Sequence, residues 1–143
     1  MSDHVQGKSI LITGAASGFG RLVAQKTAAK GARVVVSDVN QDGLDETATL
    51  IKKAGGEAFA CIADVTSRSE MATLAGRAVE EFGAIDVIVN NAGVMPLAFF
   101  ADHAEAAEAW DRCIDINLKG VLHGISAVHD QMIEQGRGHV INV

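Results

Sequence analysis

The stretch TGAASGFG, residues 13–20, decides how this chain folds. It follows a short apolar run, SILIT at 9–13, and precedes apolar residues that recur at helical spacing as far as Gly31. A strand, a glycine-rich turn and a helix in that order bring the first N–H groups of the helix to the end of the strand. Those N–H groups and the helix dipole favour a pyrophosphate, and glycines let it approach the backbone. The stretch therefore predicts a dinucleotide-binding loop.

Strand and helix patterns alternate outward from this loop along the whole chain. Runs rich in apolar and β-branched residues predict four further strands, at 32–37, 57–62, 85–89 and 139–143. Helical patterns lie between them, at 41–54, at 67–82 and from 102 to about 135, the last with an interruption near Asn117. This alternation predicts an α/β fold with a doubly wound, Rossmann-type parallel sheet and helices on both of its faces.

Two of the predicted helices begin with a capping signal. Ser67 followed by Glu70 is a capping box, in which each side chain accepts a hydrogen bond from the other residue's N–H. Asp102 followed by Glu105 gives a second capping signal. We expect these side chains to fix where the two helices begin.

Length bounds the number of domains. The 143 residues suit one domain, so residues 1–143 are interpreted as a single dinucleotide-binding unit. The chain stops inside the fifth predicted strand, and an open strand at a chain end is unusual for a complete domain. We therefore expect the domain to be truncated at the fifth strand.

Charge and hydropathy argue against two classes of partner. The formal charge is −6 and no stripe of Lys or Arg is visible, which speaks against a nucleic-acid surface. Residues 1–8 have no apolar signal core, and no apolar run approaches the length of a membrane span. We expect a cytoplasmic protein that contacts neither nucleic acid nor membrane.

No residue pattern predicts a metal site or a P-loop. Cys61 and Cys113 lack metal-ligand spacing and are interpreted as buried free thiols, and the five histidines form no ligand pair. The segment GKS at 7–9 lacks the Gly five positions earlier that a P-loop needs, and a strand follows it. Trp110 and Cys113, three apart on a helix, are interpreted as packing residues.

Asp38 ends the second predicted strand, beyond the glycine loop. A carboxylate at that point can accept hydrogen bonds from the ribose hydroxyls of an adenosine, and it repels a 2′-phosphate. Asp38 therefore predicts NAD in preference to NADP. If no glycine loop preceded it, Asp38 would be interpreted as a solvated carboxylate at the end of a strand.

Three further motifs follow the glycine loop in order: DV at 64–65, NNAG at 90–93 and DINL at 115–118. Together with TGxxxGxG at 13–20 they resemble the short-chain dehydrogenase/reductase family, and the resemblance covers the whole chain. In that family the DV pair contacts adenine, and NNAG steadies the sheet and lines the cofactor site. The resemblance therefore implies cofactor contacts at Gly14, Ser17, Gly18, Phe19, Gly20, Asp64, Val65, Asn91, Ala92 and Gly93.

The resemblance also implies a reaction. It implies an NAD(P)-dependent oxidoreductase that transfers hydride between a nicotinamide cofactor and an alcohol or carbonyl substrate, in a full-length protein that is a homo-oligomer. In the family a Tyr moves the proton at the substrate oxygen, a Lys lowers the pKa of that Tyr, and a Ser positions the substrate. The family's helix Asn, which Asn117 matches, holds a water in the proton relay.

The rest of that catalytic set is missing here. The sequence contains no Tyr, so no residue can take the role of the phenol. The family's Ser, Tyr and Lys belong after the fifth strand, and every lysine of this chain lies before it. Only Asn117 remains, and it is equally well interpreted as a polar residue that satisfies backbone groups at a helix break. We expect the chain to be a cofactor-binding half that is inactive alone.

Three questions stay open at this point, and each has alternative answers. The chain is either the N-terminal part of an enzyme or a short module that binds a dinucleotide without turnover. Four apolar side chains of one loop either line a substrate site or, as we slightly prefer, pack within the loop: Met95, Leu97, Phe99 and Phe100. Four apolar side chains on the last predicted helix form a subunit interface, cover their own sheet, or do both: Val121, Leu122, Ile125 and Val128.

Overall fold

A computed structural model describes residues 4–143; of the polar N-terminal stretch, residues 1–3 lie outside the described part. Its strands, in chain order, are β1 (Ser9–Thr13), β2 (Arg33–Asp38), β3 (Glu57–Ile62), β4 (Val87–Asn90) and β5 (His139–Asn142). They form one sheet in the order β3-β2-β1-β4-β5, and every neighbouring pair is parallel. The predicted parallel sheet is confirmed.

The helices alternate with these strands. They are α1 (Gly18–Ala28), α2 (Gln41–Lys53), α3 (Arg68–Phe82), α4 (His103–Ile114) and α5 (Gly120–Glu134). A 3-10 turn (Phe100–Asp102) precedes α4, and a π-helical turn (Asp115–Lys119) joins α4 to α5. Within residues 4–143, none of the helices has the length and apolarity that crossing a membrane would require.

Apolar side chains cover both faces of the sheet, because neighbouring residues of a strand point to opposite sides. On one face, side chains such as Val34 and Val36 pack against Leu44 of α2 and other residues of α1 and α2. On the other face, Val35 packs in a cluster with residues of α3 and α5. All three valines are fully buried, which explains why β2 is an uninterrupted apolar run. Helices on both faces confirm the doubly wound fold.

The first capping signal forms in part, and the second does not form. Ser67 Oγ does accept a hydrogen bond from Glu70 N–H, at 3.3 Å. The Glu70 carboxylate, however, accepts from Asp64 N–H at 2.9 Å, while Ser67 N–H donates to the Asp64 carbonyl. Asp102 makes no capping bond, because its backbone (φ −99°, ψ 27°) belongs to the 3-10 turn and is not extended, as a capping residue must be. The capping box is therefore half formed, and Glu70 fixes the turn at Asp64 instead.

The interruption predicted near Asn117 is a π-helical turn. Residues Asp115–Lys119 adopt this geometry, and Gly120 N–H donates to the Asp115 carbonyl. Such turns insert one residue into a helix without ending it, and they are frequent at functional sites. Helices α4 and α5 therefore run into each other, with Asn117 in the middle of the junction.

The apolar residues of α5 divide between the sheet and the surface. Val128 is fully buried in the cluster that contains Ile88, whereas Leu122 is 56% exposed. Val121 and Ile125 are half-buried. Val128 thus covers the sheet, and Leu122 is left on the outer face of the helix.

A buried carboxylate holds the amino ends of three strands together. Asp86, just before β4, accepts hydrogen bonds from Ser9 N–H at 2.9 Å and from Arg137 Nε at 2.7 Å. Burial alone would raise the pKa of this carboxyl, but the bonds from Ser9 and Arg137 outweigh it and hold the pKa below its usual range. The ionised form of Asp86 is therefore favoured in the folded chain.

We expect Asp86→Asn to lower the free energy of unfolding by about 2 kcal/mol near neutral pH, because charge-assisted bonds are lost. Since the folded pKa is lowered, the stabilisation is present above the pKa of the unfolded carboxyl and is lost as pH falls through the folded pKa. The difference in the free energy of unfolding between Asp86→Asn and wild type should therefore shrink below about pH 4. Urea unfolding at several pH values measures it.

The control for this prediction is Asp130→Asn, since the Asp130 side chain is fully exposed. That variant should stay within about 0.5 kcal/mol of wild type at every pH. A deficit of Asp86→Asn that is the same at acid and neutral pH would show that the charge of Asp86 does not matter.

Candidate functional site

A cleft opens at the carboxyl ends of β1 and β4. The chain leaves β1 toward β2 on one side, and it leaves β4 toward β5 on the other. Where neighbouring connections diverge in this way, a parallel sheet forms a crevice at the carboxyl ends of its strands. The cleft has a volume of about 360 Å³, within the range of small-molecule sites.

The glycine loop forms one wall of the cleft and leaves the start of α1 open. Ser17, the residue before α1, has an extended backbone, and its side chain makes no capping bond. The N–H groups of residues 18–20 have no acceptor within residues 4–143. Gly18 has φ +53°, and a Cβ there would meet nothing within 4 Å. Gly18 and Phe19, which line the cleft, therefore present free donors there, as an anion site requires.

The other two glycines of the loop are required by packing. Gly14 has φ +65°, and a Cβ on it would lie 2.8 Å from Ala92 Cα. A Cβ on Gly20 would collide with the Gly14 carbonyl oxygen and lie 2.6 Å from Asn91 Nδ2. Gly20 is buried beneath the loop and is not among the residues that line the cleft. Its contribution to a ligand site is therefore indirect.

Thr13 and Asn91 connect the glycine loop to the segment after β4. Asn91 Nδ2 donates to the carbonyls of Thr13, at 2.9 Å, and Gly14, at 3.1 Å. In return, Thr13 Oγ1 accepts from the N–H groups of Asn91 and Ala92, both at 3.1 Å. These bonds fix the segment after β4 against the glycine loop, and Ala92 and Gly93 line the cleft beside it.

Asp38 lies in the cleft lining and also supports the loop. One carboxylate oxygen accepts from Ala16 N–H and the other from Asn40 N–H, both at 3.1 Å. Each carboxylate oxygen can accept a second hydrogen bond. The half-buried Asp38 thus fixes the glycine loop to the end of β2 and keeps acceptor capacity for a ligand.

Asp64 and Val65 form the far wall of the cleft. Asp64 Oδ1 accepts from the N–H and the hydroxyl of Thr66, both at 2.8 Å. Its second oxygen has no hydrogen-bond partner among the described residues. Val65 is buried, and its side chain packs in the cluster that includes Ile116. This wall therefore combines an apolar surface with one free carboxylate oxygen.

Comparison with known proteins identifies the chain. The family described as short chain dehydrogenase matches residues 8–143. The chain belongs to the short-chain dehydrogenase family. An uncharacterised oxidoreductase of Listeria monocytogenes is 40% identical over 137 residues, which are 96% of this chain and 54% of that protein. The chain thus spans about half the length of the curated relatives it matches.

Two solved structures are similar to nearly the whole chain. Xylitol dehydrogenase with bound NAD⁺ is 31% identical, has a TM-score of 0.92, and is matched over 97% of this chain and 53% of its own. A short-chain dehydrogenase/reductase from Burkholderia phymatum in complex with NAD is 34% identical, with a TM-score of 0.91, over 96% and 49% of the two chains. The predicted Rossmann-type fold is that of the short-chain dehydrogenases.

Asn117, which matches the family's helix Asn, has its amide fully engaged. Its Oδ1 accepts from Val94 N–H at 2.9 Å, and its Nδ2 donates to the Val94 carbonyl at 2.8 Å. Cys113 Sγ donates to the same carbonyl at 3.4 Å. The side chain thus satisfies backbone groups, and it is the Val94 segment, not Asn117, that lines the cleft.

The two free thiols differ in burial. Cys61 is buried as predicted, and burial raises the pKa of its thiol, against the opposing effect of the Arg77 charge. Cys113 was predicted to be buried and is only half-buried, because it faces the Val94 loop and not the sheet. The thiol of Cys61 is therefore protected from reaction.

The apolar loop after Val94 does not pack as we preferred. Met95, Leu97, Phe99 and Phe100 are each more than four-fifths exposed. The loop leads from the end of β4 outward to the 3-10 turn, where Phe100 stacks on Trp110 with ring centroids 5.8 Å apart. The packing interpretation of the loop is wrong, while Trp110 does pack as predicted.

Five residues of the cleft lining were not predicted: Val39, Ala63, Val94, Arg112 and Ile116. All of them except Arg112 are neighbours in sequence of predicted residues, Ile116 being next to Asn117 in the DINL motif, so a wider window around each motif would have found them. Arg112 and Ile116 reach the cleft from the helical segment 103–119, and only their spacing of four on one helix face connects them. No motif contains Arg112.

Proposed function

We propose that this chain binds NAD in the cleft and serves as the cofactor-binding part of an oxidoreductase that acts on an alcohol or carbonyl substrate. One observation carries the proposal: the free N–H groups at the start of α1 and the Asp38 carboxylate line a single cleft. A diphosphate fits the first and a ribose the second. Two relatives of similar structure hold NAD, which supports the same cofactor here.

The residues present suit each part of that cofactor. In the proposal, the N–H groups of Gly18 and Phe19 and the Ser17 hydroxyl receive the diphosphate, and Gly14 and Gly20 shape the loop. Asp64, through its free oxygen, and Val65 would hold the adenine. Asn91, Ala92 and Gly93 form the wall next to the nicotinamide end. NAD, when bound, supplies the carbon that accepts or donates hydride.

Proton transfer requires groups that the 143 residues do not contain. With no Tyr, no phenol can exchange a proton with a substrate oxygen. Asn117 holds the Val94 segment at the edge of the cleft, and in this proposal that positioning is its contribution. A module that binds the dinucleotide without turnover is the second candidate, favoured by the same lack of Tyr. Location in the cytoplasm and a homo-oligomer of the whole protein are further proposals.

We expect wild type to bind NAD at least about tenfold more tightly than NADP, because the Asp38 carboxylate repels the 2′-phosphate. Asp38→Asn removes the charge and should bring the two affinities closer together. Isothermal titration calorimetry with each dinucleotide measures the ratio. This experiment also tests the proposed site, since NAD must bind for any ratio to exist.

A matched control is Asp42→Asn, which removes the same charge from an exposed residue of α2 outside the cleft lining. It should leave the NAD to NADP ratio unchanged, because screened charges at a distance contribute little. Equal affinities of wild type for the two dinucleotides would contradict the role given to Asp38, and no binding of NAD would contradict the proposed function.

A further inference from the structure

We propose that Arg112 is a specificity-determining residue of the cleft, whose guanidinium lies against the adenine ring of the cofactor. This inference rests on the proposed function, because it needs an adenine dinucleotide in the cleft. It assigns a role to a side chain that belongs to no sequence motif and that reaches the cleft from α4.

The position of Arg112 follows from the helix face that packs on Val65. A Cβ on Gly120 would lie 2.7 Å from Val65 Cγ2, so the helix approaches this residue very closely. Ile116, one turn earlier, packs with Val65 in the same buried cluster. Arg112 is one further turn toward the cleft on the same face. Arg112 lines the cleft together with Asp64 and Val65.

The guanidinium of Arg112 is not committed to the protein. Among residues 4–143 it makes no hydrogen bond and no ion pair, and it is exposed. The arginines Arg21, Arg33 and Arg137, in contrast, all donate to protein oxygens. Arg112 is also the one cation among the residues that line the cleft. An exposed Arg without a partner at a ligand cleft is available to the ligand.

The location selects the base in preference to the diphosphate. Arg112 comes from the helical segment that packs on Val65, whereas the free N–H donors for a diphosphate lie at the start of α1, in the glycine loop. A planar guanidinium stacks on aromatic faces, and it is less strongly hydrated than an ammonium group. Val39, 57% exposed, adds an apolar surface to the same cleft. A flat base suits such surroundings.

The test uses NMR titrations of the ¹⁵N-labelled chain with AMP, with inorganic diphosphate and with NAD. We expect Arg112→Ala to weaken AMP binding by about tenfold, the size of an aromatic or cation–π contact to a base, and NAD binding to a similar extent. Diphosphate binding should not change. Arg112→Lys keeps the positive charge but replaces the planar guanidinium with an ammonium group, so it should weaken AMP binding as much as Arg112→Ala does.

The matched control is Arg68→Ala, because Arg68 is an exposed arginine at the start of α3 and lies outside the cleft lining. It should bind all three probes as wild type does. Unchanged AMP affinity in Arg112→Ala would overturn the inference and leave the proposed function intact. Weaker diphosphate binding in Arg112→Ala, or wild-type AMP affinity in Arg112→Lys, would overturn the inference, because either result would show that only the charge of Arg112 matters. Failure of wild type to bind NAD would overturn both proposals.

Discussion

Gly20→Ala is expected to destabilise the fold by about 2 kcal/mol, the usual cost of an added methyl in a closely packed site. The new Cβ would collide with the Gly14 carbonyl oxygen and lie 2.6 Å from Asn91 Nδ2. Neither atom can retreat easily, because Asn91 Nδ2 is bonded to the carbonyls of Thr13 and Gly14. The glycine loop must therefore shift relative to the segment after β4.

The same substitution should weaken NAD binding by about tenfold or more, since the loop and the segment at residues 91–93 both line the cleft. Gly76→Ala is the matched control. Gly76 is an exposed glycine inside α3, and a Cβ there would meet nothing within 4 Å. That variant should stabilise the chain by up to about 1 kcal/mol and bind NAD normally.

Thermal or urea unfolding and calorimetry with NAD measure both effects. If Gly20→Ala were as stable as wild type, the close approach of α1 to the glycine loop would not be a real constraint. If it were destabilised and still bound NAD with full affinity, the loop would not be part of the ligand site.

We expect no dehydrogenase turnover from the purified chain, even when NAD is bound as proposed. Neither reduction of NAD with a secondary alcohol nor oxidation of NADH with a ketone should exceed the rate without protein. A positioned acid or base contributes about 10²–10⁴ to such a reaction, and this sequence has no Tyr to provide it. The ultraviolet absorbance of NADH follows the reaction in both directions.

A full-length short-chain dehydrogenase assayed under the same conditions is the positive control. NADH formation that rises in proportion to the concentration of this chain would show that another group moves the proton. Turnover together with normal NAD binding would then exclude the non-catalytic module as well.

The strands and the sheet were predictable because their signals are local. Val34, Val35 and Val36 form an apolar run that only a strand covered on both faces can bury. The presence of Asp38 and Asp64 in one cleft was also predictable, because Asp38 ends the strand beyond the glycine loop and Asp64 belongs to the DV motif that resembles the family's.

Side-chain partners were less predictable, because they depend on neighbours that are distant in sequence. Glu70 accepts from Asp64 N–H and not from Ser67 N–H, since the turn before α3 brings Asp64 close to it. Asn117 bonds to Val94, which the family motif does not indicate. Arg112 reaches the cleft only because Gly120 and Ile116 let the helix approach Val65.

The bonds between Thr13 and Asn91 have a consequence for the order of folding. The two residues are 78 positions apart. The glycine loop, which follows the first strand of the chain, is therefore completed only after β4 has paired with β1. Contacts of such long range form late, since a large loop must close first. During synthesis, an emerging chain that has not reached residue 91 would hold the glycine turn without the segment that bonds to it. Binding of the dinucleotide would then require that β1 and β4 have already paired.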